Sequence, residues 1–487
     1  MILKRLKNAL THKNTGILLF SGLSIITLFF VLSFQSQQPS FANVGTSIGK
    51  PVTSETATAS GVKVTTTLVR DKFVVGDTGE VEMKVEIDSP NIKAVSSSHS
   101  STDFIIVLDR SGSMSGDKIE YAKKAIHNIV DRLQDGDAFS LIGFDDSSAK
   151  YIPLTKFSTS LRDTFNSKVD SLYPGGGTNM GAGLEMALEE ANLGHSAKKK
   201  IVLLSDGQAN VGISDPTGLA AIARRVSGKE VVLSTIGLGL DFNEVVLSSL
   251  ADNGMGDYAF LESPTQLETL LNKFLNESRA LYAAGSELNL NLSDGVSIKD
   301  AGGYPIETSN GVTKIITGSL AGNQKKSFML TFNISTNTVR ELPVATMNLI
   351  IKRDGKEEKL TVLDKPLVVA ILAPEKRHEA ISSINQPLYR ESFLGSKLGQ
   401  VKQKMNSYML KRDYQGSQNA LNEYKALVED AEKRDGQKVA GVAMPAMEEL
   451  ASKNALAAGS KDESFRKKIS KELQAEARSD QRSFINK

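Results

Sequence analysis

Between Thr102 and Tyr282, short apolar runs of strand length alternate with longer stretches whose apolar residues recur at helical spacing. In order they are FIIVLD, KIEYAKKAIHNIVDRLQ, FSLIGF, LRDTFNSKVDSL, GAGLEMALEEANL, KKIVLLSD, GLAAIARRVSG, EVVLSTIGLG, FNEVVLSSLAD, DYAFLE and QLETLLNKFLNES. Buried strands alternating with amphipathic helices predict a doubly wound, mostly parallel α/β sheet of the Rossmann-like kind, with ligands expected beyond the carboxyl ends of the strands. Upstream, residues Val62 to Ile87 alternate apolar and polar positions and break at Gly76-Asp77, as antiparallel strands joined by a turn do. Two or three strands do not stand alone. The same period-two pattern returns from Ser286 to Leu372. An antiparallel β-sandwich into which the α/β unit is inserted follows from this arrangement, the alternative being two independent β modules that flank the unit.

Past Pro374 the pattern turns helical, punctuated by Gly416, Gly436, Gly441 and Pro445, and predicts three or four helices. In the last forty residues large apolar side chains thin out and Lys and Arg become frequent. That stretch is expected to pack loosely, its charge runs forming solvated faces. The resulting division is 1–42 export segment, 43–60 linker, 61–100 first sandwich strands, 101–282 α/β domain, 283–373 remaining sandwich strands and 374–487 helical region.

The first segment fixes an expectation about location. Lys4, Arg5, Lys7 and Lys13 precede a charge-free, largely apolar stretch from Gly16 to Phe34, and Ser40 and Ala42 then supply small residues suited to signal cleavage after Ala42. An uncleaved anchor in the cytoplasmic membrane is the alternative, because about 19 such residues at ~1.5 Å each nearly span the hydrocarbon core. In both cases the rest of the chain is expected outside the cytoplasm, in the periplasm or at the cell surface. The linker NVGTSIGKPVTSETATAS is small, polar and without apolar period.

Composition narrows the classes. The 487 residues are 40% hydrophobic and 23% charged with a formal net charge of +2, which is globular and carries no bulk signal for nucleic acid. The absence of cysteine excludes disulfides, thiolate zinc sites and thiol catalysis, and fits a bacterial exported protein.

Three fragments carry the chemistry. FIIVLDRSGSM holds Asp109, Ser111 and Ser113; GGGTNMG holds Thr178; LLSDGQ holds Asp206. Each follows or adjoins a strand-like run, so two carboxylates and three hydroxyls can converge at one sheet edge. A hard divalent cation such as Mg²⁺ takes oxygen ligands and keeps some waters. Ser111 and Ser113 lie two apart around Gly112, and Gly175, Gly176 and Gly177 let the Thr178 loop approach closely. Asp145 and Asp146, at the end of FSLIGF, are candidates for the surroundings of the cation, with a plain loop role as the alternative; Asp117 reads as a first-turn helix charge.

Asp109-x-Ser111-x-Ser113, Thr178 and Asp206 on an alternating βα frame resemble the von Willebrand factor type A domain with its metal-ion-dependent adhesion site. SDGQANVG, TIGLG and LADNGMGDYAF are similar to its bacterial exported members. The resemblance implies that Ser111, Ser113 and Thr178 coordinate Mg²⁺ (with Mn²⁺ or Ca²⁺ as other candidates) directly, while Asp109 and Asp206 act largely through water. Neutral direct ligands leave such a metal electrophilic with an open position, so a partner protein's exposed Asp or Glu is expected to complete the coordination.

Catalytic patterns are absent. The five histidines have no metal-ligand spacing, His378-Glu379 is followed by Ser382 where a zinc-protease motif needs histidine, and Ser111 lacks the Gly-x-Ser-x-Gly elbow. A non-enzymatic, exported, metal-dependent adhesion or protein-binding protein is therefore expected. The alternative is an assembly or regulatory subunit of an envelope complex whose helical tail docks a partner.

Overall fold

A computed structural model describes residues 54–91, 101–194, 196–436 and 438–486. The expected export segment and the first part of the expected linker lie outside the described residues. Among those described, no helix is long and apolar enough to cross a membrane.

The strand Asp103–Asp109 is buried at every position and lies inside a six-stranded sheet. Lys199–Ser205, Val231–Leu238 and Met255–Leu261 follow it in parallel on one side, and Ala138–Phe144 in parallel on the other. Its alternate side chains feed two different cores. Phe104, Ile106 and Leu108 pack with the helices Asp117–Arg132 and Leu267–Arg279, whereas Ile105 and Val107 pack with Met180–Leu193 and Pro216–Ser227. A strand apolar on both faces has helices on both faces for this reason. The edge strand Ser148–Lys156, antiparallel to Ala138–Phe144, has no apolar run because most of its length meets solvent, and the sequence reading omits it.

The flanking strands form one sandwich. Glu80–Asp88 pairs antiparallel with Gln324–Asn333 along its whole length although the α/β domain separates them in sequence. A second sheet holds Gly285–Leu292 between Val312–Ile316 and Ala345–Arg353, and both sheets share a core that includes Val85, Leu288, Phe332 and Leu349. The linker is shorter than expected. Ser54–Ala59 pairs with Val62–Leu68 through a two-residue turn at Ser60 and Gly61, both at positive φ, the geometry of a tight hairpin. Threonine suits this half-exposed edge, and Ala57 and Ala59 touch the core.

The helical region corrects three expectations. Among the described residues it holds six α-helices where three or four were expected, because the short Arg377–Ser382 and Gln386–Ser392 are too brief to show a helical period. Gly416 stands in the first turn of Tyr414–Asp435, capped by Asp413, while Gly441 and Pro445 lie inside Ala440–Gly459; of the four punctuating residues only Gly436, with φ of 65°, ends a helix. The last forty residues are not loosely packed. Ile469, Leu473 and Ala477 of the helix Glu463–Gln481 are buried, and Arg482–Asn486 adds a strand beside Gln324–Phe328 of the sandwich. Three of their basic residues are turned to the α/β domain and largely covered, while Lys461, Lys467 and Lys468 keep substantial exposure. Lys471 bonds Glu244, and Arg478 and Arg482 bond Asp252. A charge run looks solvated in sequence because its partners lie more than two hundred residues away.

Candidate metal centre

The strand Asp103–Asp109 delivers its last residue to the carboxyl edge of the sheet, where the chain turns through the short helix Gly112–Met114. Met114 is fully buried and pins that turn from below. Asp109 Oδ1 accepts the Ser111 amide at 2.9 Å, and Oδ2 accepts the Ser205 hydroxyl at 2.5 Å. Ser111 Oγ lies 3.0 Å from Ser113 Oγ, which donates to Asp206 Oδ1 at 2.8 Å. Thr178 completes the group: a Cβ placed on Gly207 would stand 3.4 Å from Thr178 Oγ1, 3.7 Å from Ser113 Oγ and 3.9 Å from Asp109 Oδ2. All five predicted residues thus surround one small locus. Asp109, Ser111, Thr178 and Asp206 are buried and Ser113 is exposed.

The loops that present these oxygens are tied to one another. Gly112 N bonds Gly176 O at 3.1 Å and Gly175 N bonds Arg110 O at 2.6 Å, so the first and second loops move together. Gly176 has φ of +74°, and a Cβ there would fall 2.6 Å from Asp146 Oδ2, which requires glycine. Asn210 Oδ1 accepts the Thr178 amide at 2.9 Å, while Asn210 N bonds Thr178 O, linking the second loop to the third. Asp145 and Asp146 brace these loops. Asp146 Oδ1 accepts the Gly177 amide at 2.9 Å, the Asp145 carbonyl accepts the Asn179 amide, and the Asp145 carboxylate pairs with Arg110.

Burial pushes the Asp109 carboxyl up from its ordinary range and neighbouring Asp206 adds to this, while the bonds from Ser205 and Ser111 pull the other way. Two buried carboxylates facing three hydroxyls make a donor set suited to a hard cation, with Asp109, Ser111, Ser113, Thr178 and Asp206 as the residues that would hold it. Among the described residues, no group of three His, Cys, Asp or Glu side chains has metal-holding geometry, so a site here depends on its hydroxyls.

Three contributors escaped the sequence reading. Ser205 holds Asp109, Asn210 holds Thr178, and the Lys118 ammonium bonds Asp206 Oδ2 and, at 3.3 Å, Ser113 O. Ser205 directly precedes Asp206, which is a usable signal. Lys118 has one too: it is the second residue of the helix that follows the serine loop.

Residues 103–273 match the von Willebrand factor type A domain. The Escherichia coli protein YfbK is 30% identical over 180 residues, 36% of this chain and 31% of that protein. Bovine inter-alpha-trypsin inhibitor heavy chain H4 is 33% identical over 159 residues, 31% of this chain and 17% of its own length. The match thus spans less than a third of either relative. In three dimensions, a von Willebrand factor type A protein from Catenulispora acidiphila superposes with a TM-score of 0.63 at 17% identity, covering 87% of this chain and 97% of that one. That likeness is one of fold, and its extent takes in more than the matched domain.

Proposed function

We propose, since the chain carries a von Willebrand factor type A domain over residues 103–273, that it binds another protein through a divalent metal, best Mg²⁺, held at the cluster of Asp109, Ser111, Ser113, Thr178 and Asp206. Domains of this family generally serve protein interaction or adhesion and commonly hold a divalent metal at this motif. The observation that supports the reading is the convergence of five side-chain oxygens from three interlocked loops at the exposed edge of the sheet. When bound, the metal supplies an electrophilic position that a carboxylate can fill.

The chain's own residues have defined tasks. Ser205 and the Ser111 amide fix the Asp109 carboxylate, Asn210 fixes the Thr178 loop, and the Ser113 hydroxyl is the exposed member facing a ligand. A partner protein with an exposed Asp or Glu is the ligand class, and the protein acts by binding without catalysis. An exported location rests on the cationic and apolar pattern of the first 42 residues. The test is capture of envelope proteins on the immobilised chain in Mg²⁺, with elution by EDTA. Capture that survives both EDTA and Asp109→Ala defeats the reading.

A further inference from the structure

The C-terminal helix Glu463–Gln481 grips the loop at residues 239–244, which follows the strand Val231–Leu238 at the same sheet edge as the metal centre. Lys471 Nζ donates to Phe242 O and to Glu244 Oε2, each at 2.8 Å, and stands 3.6 Å from the centre of the Phe242 ring. The pair is sealed, with side-chain exposures of 4% for Lys471 and 7% for Glu244. One turn earlier, Lys467 donates to Asp241 Oδ1 at 2.9 Å. The far end of the helix is anchored independently through Arg478 and Arg482 on Asp252.

The gripped loop runs beside the metal centre at Lys118. A Cβ on Gly239 would lie 3.5 Å from Lys118 Cε and 3.7 Å from its Nζ, so the loop backs the ammonium that bonds Asp206 and Ser113 O. Gln208, two residues past Asp206, also donates to Asp241 O at 3.5 Å. An ammonium on Asp206 and a divalent cation at the same cluster repel each other, and the repulsion is relieved only if Lys118 swings away. The backbone of the 239–244 loop lies on one side of that swing, at Gly239.

We infer that Lys471 and Lys467 are positioning residues for the metal centre: by fixing the 239–244 loop they hold Lys118 over Asp206, so that the docked C-terminal helix opposes the divalent cation. The inference rests on the metal-binding reading above. It gives the tail a regulatory role, because a helix that lowers affinity for the cation is itself loosened when the cation binds. Any partner that draws the tail away therefore primes the site.

The experiment is titration of the full chain with Mg²⁺ by calorimetry, beside hydrogen exchange of the metal-free chain. Lys471→Met is expected to bind Mg²⁺ about tenfold more tightly than wild type, Lys118→Gln at least as tightly, and the double variant no more tightly than Lys118→Gln alone, because the two act in series. Lys471→Arg, which keeps the charge and the bonds, is expected to stay within about twofold of wild type. Without metal, the amides of residues 239–244 are expected to exchange faster in Lys471→Met. Unchanged or weaker Mg²⁺ affinity, additive gains in the double variant, or unchanged exchange in the loop overturns the inference. If Lys471→Met fails to fold, Lys467→Ala, which removes the exposed pair with Asp241 and a long 3.9 Å pair with Glu463 on the same helix, carries the same test with an expected gain of about threefold. Asp109→Ala separates the two levels. If it binds Mg²⁺ as well as wild type, the metal reading itself falls; if it loses Mg²⁺ while Lys471→Met is unchanged, the tail coupling alone falls.

Discussion

Ser113 Oγ donates a 2.8 Å hydrogen bond to Asp206 Oδ1 across a sequence separation of 93 residues. The bond joins an exposed turn to a fully buried carboxylate that also receives the Lys118 ammonium. Asp206 thus ties the serine turn and the start of the helix Asp117–Arg132 to the end of the strand Lys199–Ser205.

Removing Asp206 tests that assembly. Asp206→Ala leaves the Ser113 hydroxyl and the Lys118 ammonium without this acceptor, and a bond to a charged group contributes roughly 1.5–3 kcal/mol. A stability loss of that order by urea denaturation is expected, toward the lower end because Lys118 is partly exposed. Calorimetric Mg²⁺ binding is expected to vanish. Retained binding would exclude Asp206 from the centre.

Gly207→Ala separates folding from function. The added methyl meets its neighbours at ordinary contact distances, 3.4 Å from Thr178 Oγ1 at the closest, so the melting temperature is expected to change little. It nevertheless places carbon where a cation and its waters need oxygen, and Mg²⁺ affinity is expected to fall at least about tenfold. Normal affinity in this variant would mean that the cation sits elsewhere.

Asp252→Ala tests whether the tail is integral to the fold. It strips Arg478 and the buried Arg482 of their shared carboxylate, and leaving buried charges unpaired costs about 3–5 kcal/mol. Limited proteolysis is expected to cut residues 463–487 first. A tail equally protected in the variant would show that apolar packing alone holds it.

Acid should release the same latch. Burial by itself would raise the Asp252 carboxyl, but the charges and bonds of Arg478 and Arg482 outweigh it and hold the group below its ordinary 3.8. Because the folded value is depressed, the contribution is complete above the unfolded value and is lost as pH falls through the folded one. Tail protection, followed by hydrogen exchange, is expected to persist at pH 5 and to fail only below 3.8. In Asp252→Asn the part of this acid step that belongs to Asp252 should be missing.

Lys326 gives an alkaline signature of opposite origin. Burial at the junction of the sandwich, the α/β domain and the C-terminal strand pushes its amine down to about 8 from 10.5, and the ammonium donates to Thr317 O at 2.7 Å. Here the charged form is the disfavoured one in the folded chain. Its cost is present below 8 and disappears as pH rises toward 10.5, so this residue makes stability increase across that window. Lys326→Met is expected to abolish the increase in urea midpoints measured between those two values.

The order of elements and the five oxygen-bearing residues were legible because both are local. A strand buried on both faces needs a continuous apolar run, as FIIVLD shows, and a loop that presents Asp109, Ser111 and Ser113 needs those residues within one turn. Ser148–Lys156 was not legible, since an edge strand exposed along one side has no such run. Ser54–Ala59 was read as linker because its threonines and serine are as common in loops as in half-exposed hairpins.

By itself the sequence determined the α/β alternation, the second β pattern, the helical region and the residue types at the candidate metal centre, all of which follow from periodicity or from a few adjacent side chains. Only the tertiary structure decided what the charged tail does. Lys471 reads as one more solvated lysine until the fold brings Glu244 and Phe242 to it from 227 and 229 residues away, and burial then turns an ordinary charge into a specific contact. The same holds for Lys118, whose place on Asp206 depends on the parallel pairing of Asp103–Asp109 with Lys199–Ser205, which sets the two loops side by side. Long-range electrostatic partners leave no periodic trace in a sequence, because burial and pairing are properties of the assembled surfaces.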